Sequence, residues 1–164
     1  MSYIIIIRGP LGIGKSTISK KLADILNAYY ISVDDLLKKE KLDNIDESKG
    51  FIPVRNFIKV NNIIFPEIKK KLKQGRIVIL DGNFYHKKQI ENLIDNFPHH
   101  IFTLKATLKA CIERDNKRKN SYGKDATTDV YRLVSKFNCG KVIDTNKKTI
   151  KEIIKKILSY LPKK

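Results

Sequence analysis

The stretch Tyr3-Ile4-Ile5-Ile6-Ile7-Arg8-Gly9-Pro10-Leu11-Gly12-Ile13-Gly14-Lys15-Ser16-Thr17 decides how this chain is read. Residues 3–7 are a continuous apolar, mostly β-branched run, the pattern of a strand buried on both faces in a parallel sheet. Ile18, Leu22, Ile25 and Leu26 then recur at helical spacing, which predicts a helix over residues 15–26. Between strand and helix, Gly9 to Ser16 matches G-x-x-x-x-G-K-[ST] in the context its chemistry requires. Glycines let the main chain turn its N–H groups inward on an anion, and the helix dipole adds a favourable field at the same point. On that geometry Gly9, Gly12, Ile13 and Gly14 cradle the phosphates of a nucleotide, and Lys15 bridges the terminal pair. Ser16 ligates Mg²⁺ through its hydroxyl and Thr17 reaches the α-phosphate. A glycine-rich turn with no ligand is the competing reading, and it leaves the Lys and Ser at these positions without a reason.

Working outward, the alternation of strand and helix persists along the chain. Residues 29–33 form a second apolar run stopped by Asp34-Asp35, and residues 56–73 read as a long helix kinked or split by Pro66. Gly75 ends it, residues 77–80 make a third buried strand, and residues 87–96 a short helix before Pro98. Residues 101–106 are the fourth strand, 108–118 a helix, and 119–127 a polar loop turning at Gly123, with helix resuming near Thr128. After Gly140 come a short strand, 141–143, and an amphipathic helix carrying Ile150, Ile153, Ile154, Ile157 and Leu161 up to Pro162. Five strands alternating with helices predict a three-layer, doubly wound α/β domain over residues 1–164, its parallel sheet covered on both faces. The irregular stretch 38–55 suits an acceptor-side insertion, and 114–127 a lid.

Three acids fall where strands end, at the sheet edge where open α/β folds bind ligands. For phosphoryl transfer to a hydroxyl, a carboxylate must orient the acceptor and take its proton, and Asp34 is the first choice, with Asp35 as its substitute. Asp35 has a competing role, capping the helix that begins at Leu36. Asp81 closes the run Ile77-Val78-Ile79-Leu80-Asp81-Gly82 and resembles a Walker B element, holding Mg²⁺ through water or positioning the acceptor. Gly82 would let the backbone pass close to substrate, and Asn83 and Tyr85 would contact it. Arg114 and Arg118, four apart, share a helix face and would close over the transferred phosphoryl group, unless they are spent on salt bridges to Glu113 or Asp115. Arg55 and Arg132 are further candidates for such work. Asp144-Thr145-Asn146 would pack against the adenine. His86, His99 and His100 lack metal spacing and read as surface residues, as do the terminal Lys163 and Lys164.

Composition bounds the function. The chain has 164 residues, 41% hydrophobic and 31% charged, a balance that excludes wholesale disorder. No apolar run approaches the roughly 20 residues that span a bilayer, and no cleavage site follows residues 3–7, so neither export nor membrane insertion is expected. Cys111 and Cys139 sit in apolar patterns without ligand spacing, which favours reduced core thiols in a cytoplasmic protein over a disulfide. The formal charge of +17 would attract nucleotides or nucleic acid. Lysine is spread along the chain rather than clustered, which favours compositional bias over a nucleic-acid footprint.

Nearly end to end, the chain resembles P-loop kinases of the adenylate-kinase-like and polynucleotide-kinase-like group, including small kinases of the AAA-33 type. The residues that carry the resemblance are Gly9 to Thr17, Asp34-Asp35, Val78 to Gly82, Arg114-Asp115-x-x-Arg118 and Val142 to Thr145. It implies a sheet of order 2-3-1-4-5, ATP with Mg²⁺, a lid bearing arginines, and γ-phosphate transfer to a hydroxyl or phosphate. The polynucleotide kinases carry an arginine three residues after the catalytic aspartate, where Leu37 stands here. Adenylate kinases follow Asp-Gly with Phe-Pro-Arg, where Asn83-Phe84 stands here. A small-molecule or nucleoside acceptor is therefore the leading expectation, in a monomer or homodimer. A 5′-hydroxyl polynucleotide kinase and a non-catalytic nucleotide switch are the alternatives.

Overall fold

The computed structural model describes residues 1–163, so Lys164 lies outside the described residues. In chain order the elements are β1 (Ile4–Arg8), α1 (Lys15–Leu26), β2 (Tyr29–Ser32), α2 (Val33–Lys39), α3 (Val54–Lys73) and β3 (Val78–Gly82). They continue with α4 (Lys87–Ile94), β4 (His99–Lys105), α5 (Leu108–Asn116), α6 (Lys124–Val134), β5 (Lys141–Asp144) and α7 (Ile150–Ser159). All neighbouring strands pair in parallel, in the order β2-β3-β1-β4-β5. Fold class and strand order agree with the expectation.

The two-residue period of a strand explains why the β1 run is apolar throughout. Ile5 and Ile7 point to one layer, with Ile18 and Leu22 of α1, Cys111 of α5 and Ile153 and Ile157 of α7. Ile4 and Ile6 point to the other, with Leu37 of α2, Phe57, Val60 and Ile64 of α3, Ile90 of α4 and Val134 of α6. Each fully buried isoleucine contributes about 1.5–3 kcal/mol of transfer free energy. A one-residue slip of β1 would exchange the two sets.

Several boundaries differ from the sequence reading. Helix α3 runs unbroken through Pro66, whose missing N–H costs one bond in a 20-residue helix packed along the core by Phe57, Val60, Ile64 and Ile68. Helix α6 begins at Lys124 rather than near Thr128, directly after Gly123. Asp34 and Asp35 lie not at a strand end but in the first turn of α2, because Ser32 ends β2 and caps the helix, its hydroxyl accepting from the Asp35 amide. Asp35 is thus the residue whose amide is capped, not the cap.

Register aligns the carboxyl ends of the central strands. Ile7 stands opposite Asp81, Arg8 opposite Gly82 and Thr103, and Ser32 opposite Asp81. The loop after β1, the α2 start and the end of β3 therefore meet at one edge. Arg8 braces that edge from beneath: its Nε donates to Phe84 O (3.3 Å), Nη1 to Thr103 Oγ1 (3.1 Å) and Phe137 O (3.0 Å), and Nη2 to Val134 O (3.0 Å). Among the described residues no carboxylate lies within ion-pair distance of this buried guanidinium, and burial lowers its pKa to about 10.

Candidate active site

The loop between β1 and α1 has the shape its glycines predict. Gly12 and Gly14 have φ of 77° and 96°, in the left-handed region that side chains avoid. A Cβ on Gly12 would lie 2.3 Å from the carbonyl oxygen of Cys111, so the loop is pressed onto α5, whereas around Gly14 there is open space within 4 Å. The amide-rich concavity therefore opens at the N-terminus of the 12-residue α1.

That concavity is one wall of a cavity of about 410 Å³ lined by Gly12, Gly14, Lys15, Ser16, Thr17 and Lys20. Leu11, Tyr30, Ser32, Asp34, Asp35, Arg114, Arg118 and Tyr122 complete the rim. Lys15 is buried, its Nζ donating to Pro10 O at 2.8 Å. Burial lowers its pKa, and the carboxylates of Asp81 and Asp34 oppose that shift. Arg114 donates from Nη1 to Ile13 O at 3.1 Å, fixing α5 to the loop backbone. Neither arginine pairs with Glu113 or Asp115, and both line the cavity.

A second cavity of about 360 Å³ adjoins the first and is lined by Leu37, Ile45, Phe51, Ile52, Tyr85 and Leu133, among others. Leu11, Asp34 and Tyr122 line both. Asp34 is thus placed between a cationic chamber and a largely apolar one. It keeps partial solvent contact, but burial pushes its carboxyl up to about 6, opposed by Lys15 and reinforced by Asp81 and Asp35.

Other expected site residues stand differently. Asp81 lines neither cavity: it is buried behind Tyr30, whose hydroxyl donates to Asp81 Oδ2 at 2.7 Å, so its carboxylate acts on the site through Tyr30 and through its field. Gly82 also lies off both walls, and a Cβ there would meet the Phe84 ring and Val33, so it makes room for protein rather than substrate. Arg55 is exposed on the first turn of α3 and lines neither cavity. Neither do Arg132 and Asp144. Asn83 and Tyr85 line the second cavity. His86 is not a surface residue, since its ring packs on Phe51 and Phe57 and its Nε2 is 2.7 Å from Ile52 O. Cys111 is a buried free thiol, and Cys139 is free and half-buried.

Tyr30 and Tyr122 escaped the sequence reading, and Asp115 has a role other than the salt bridge considered for it. Tyr30 joins the first cavity to Asp81, and its only signal was an aromatic residue within a strand. Tyr122 has the Lys38 ammonium and the Arg118 guanidinium over its ring, at 5.3 and 5.4 Å. Asp115, fully buried, accepts from Ser121 Oγ (2.7 Å), the Tyr122 amide (3.3 Å) and the Gly123 amide (3.1 Å), shaping the connection from α5 to α6.

Comparison with known proteins agrees with the fold. The AAA_33 family, described as an AAA domain, matches residues 4–135. The chain belongs to that family. A shikimate kinase of Francisella tularensis subsp. novicida is 27% identical over 162 residues, spanning 93% of this chain and 91% of the relative. Among solved structures, a sugar kinase from Janibacter superposes with a TM-score of 0.80 at 14% identity, covering 98% of this chain and 94% of that one. A gluconokinase from Sinorhizobium meliloti has a TM-score of 0.74 at 15% identity, covering 96% and 90%. The protein is a P-loop kinase of the adenylate-kinase-like group. No helix among the described residues is long and apolar enough to cross a membrane. No cluster of three His, Cys, Asp or Glu side chains there could hold a metal ion unaided.

Proposed function

We propose that this kinase transfers the γ-phosphoryl group of ATP to a hydroxyl of a small molecule, with Asp34 as general base. The observation that carries the reading is the position of Asp34 on the shared wall of the two cavities. The first suits a nucleotide tail: loop amides at a helix N-terminus, open space at Gly14, and Lys15, Lys20, Arg114 and Arg118 for its charge. Mg²⁺, when bound, would offset phosphate charge; Ser16 is the hydroxyl ligand that the loop offers, with Asp81 reaching it through Tyr30 or water. The small-molecule kinases among the relatives support an acceptor of the same general size.

The chemistry follows from the placement. The acceptor hydroxyl lies against Asp34, which takes its proton as the acceptor oxygen bonds to phosphorus and the bond to the ADP oxygen breaks. A carboxylate with pKa near 6 is ionised at neutral pH yet basic enough to hold that proton. Lys15, Arg114 and Arg118 offset charge spreading over the transferred group. The segment from Arg114 through 127 acts as a lid, shaped by Asp115 and closing on α2 through Tyr122. Labelled ATP with a panel of hydroxyl acceptors tests the reading. Transfer should vanish in Lys15→Ala and fall about 10²–10⁴-fold in Asp34→Asn, and full transfer by Lys15→Ala would refute it.

A further inference from the structure

The charge of the second cavity runs against that of the protein. The chain carries +17, and the nucleotide-side cavity is lined by four cations against Asp34 and Asp35. The second is lined by three acids, Asp34, Asp43 and Asp129, against one cation, Lys38. That cation sits beside the wall's own Tyr122, its Nζ 3.4 Å from the hydroxyl and 5.3 Å from the ring centroid. Three aromatic side chains, Phe51, Tyr85 and Tyr122, line the cavity, and the Phe51 and Tyr85 rings stand edge to face with centroids 6.5 Å apart.

Two polar groups on this wall lack a partner of their own. Tyr85 is 9% exposed and its hydroxyl oxygen accepts from the Ile52 amide at 3.1 Å, so its O–H proton remains to be donated. The side-chain oxygen of Asn83 is buried without a hydrogen-bond partner. It follows Gly82 and precedes Phe84, a buried phenylalanine held at φ 47°, a conformation that costs of order 1–3 kcal/mol and concentrates at functional sites. An acceptor presenting both a hydrogen-bond donor and a hydroxyl would satisfy these groups.

We infer that the acceptor of this kinase is a hydroxyl compound bearing an ammonium group on an apolar or aromatic skeleton, and that carboxylates and phosphates are excluded from the second cavity. The inference rests on the proposed division into donor and acceptor chambers. An ammonium there would find aromatic side chains and the Asp43 and Asp129 carboxylates, a combination that attracts a cation. A carboxylate would meet the same three acids, with Lys38 the one cation on the wall among the described residues. Shikimate and gluconate, which give a similar kinase and a similar structure their names, are anions, so on this inference the acceptor here would differ in charge from both.

The test uses three compounds that share a para-hydroxyphenyl skeleton and differ in charge: tyramine, tyrosol and para-hydroxyphenylacetate. Each is titrated calorimetrically into protein saturated with Mg²⁺ and a non-hydrolysable ATP analogue. Tyramine should bind at least about tenfold more tightly than para-hydroxyphenylacetate, with tyrosol between them. The double variant Asp43→Lys, Asp129→Lys alters two exposed side chains and should invert that order while its thermal melt matches the wild type. Equal or tighter binding of the carboxylate to wild-type protein, no binding of tyramine at millimolar concentration, or an unchanged order in the folded double variant each overturns the inference. Heat from the ATP analogue is read first. Its absence removes the nucleotide site and this inference together, whereas its presence with the wrong acceptor order removes the inference alone.

Discussion

Asp34→Asn keeps the shape of the side chain and deletes its charge, and the site geometry predicts opposite effects on stability and catalysis. The carboxyl rises from an ordinary 3.8 to about 6 on folding, chiefly through burial. A raised carboxylate pKa means the folded state binds protons more tightly than the unfolded chain, so stability falls as pH climbs from about 4 to about 6 and the penalty stays constant above that. Two units correspond to about 3 kcal/mol as a ceiling, and the remaining solvent contact of Asp34 brings the expected gain in Asp34→Asn to about 1–3 kcal/mol at neutral pH. Near pH 4 the gain should shrink to about 0.5 kcal/mol, because the folded wild type is then uncharged at this position and its unfolded chain only about half ionised. Urea unfolding of both proteins at acid and neutral pH measures the difference. For a chain of this length each kcal/mol also raises the thermal midpoint by roughly 2–4 °C. Acceptor-dependent ADP release, measured alongside, should lose its acid limb near pH 6 together with most of its rate. A variant no more stable than wild type at neutral pH, or equally stabilised at both pH values, would show that Asp34 is not a desolvated, destabilising carboxylate.

Gly12→Ala puts a methyl 2.3 Å from the Cys111 carbonyl in a residue at φ 77°, so it should cost about 2–4 kcal/mol and abolish nucleotide heat in calorimetry. Arg8→Met fills similar volume but leaves the Val134, Phe137 and Phe84 carbonyls without their donor; a loss of about 2–4 kcal/mol by urea unfolding is expected, and a neutral result would deny Arg8 its bracing role. Asp115→Ala frees Ser121 and the amides of Tyr122 and Gly123, so kcat should fall with little change in calorimetric ATP affinity if the segment acts as a lid. Chelation of Mg²⁺ should abolish transfer with recovery on readdition, since the described residues offer no metal cluster apart from the nucleotide.

Local sequence was enough for the sheet, its strand order by resemblance, and the phosphate loop. Buried parallel strands need apolar side chains at every position, and a loop that binds phosphate through its own amides carries its chemistry in consecutive residues, Gly9 to Thr17. Helix edges were less legible where a cap decided them: Ser32, rather than either aspartate, starts α2, and so sets where Asp34 points. What only the tertiary structure decided are the contacts between residues far apart in the chain. Asp81 is screened by Tyr30, 51 positions away, and Asp115 turns inward on the α5–α6 connection instead of pairing with an arginine. Arg55 stays outside both cavities, and His86 is folded into an aromatic cluster. The wall of the second cavity is assembled from Leu11, α2, the segment after it, the loop after β3, Tyr122 and α6, and no periodicity links those stretches. Side-chain type alone is silent on such walls, because their charge and shape arise when separated segments pack against one another.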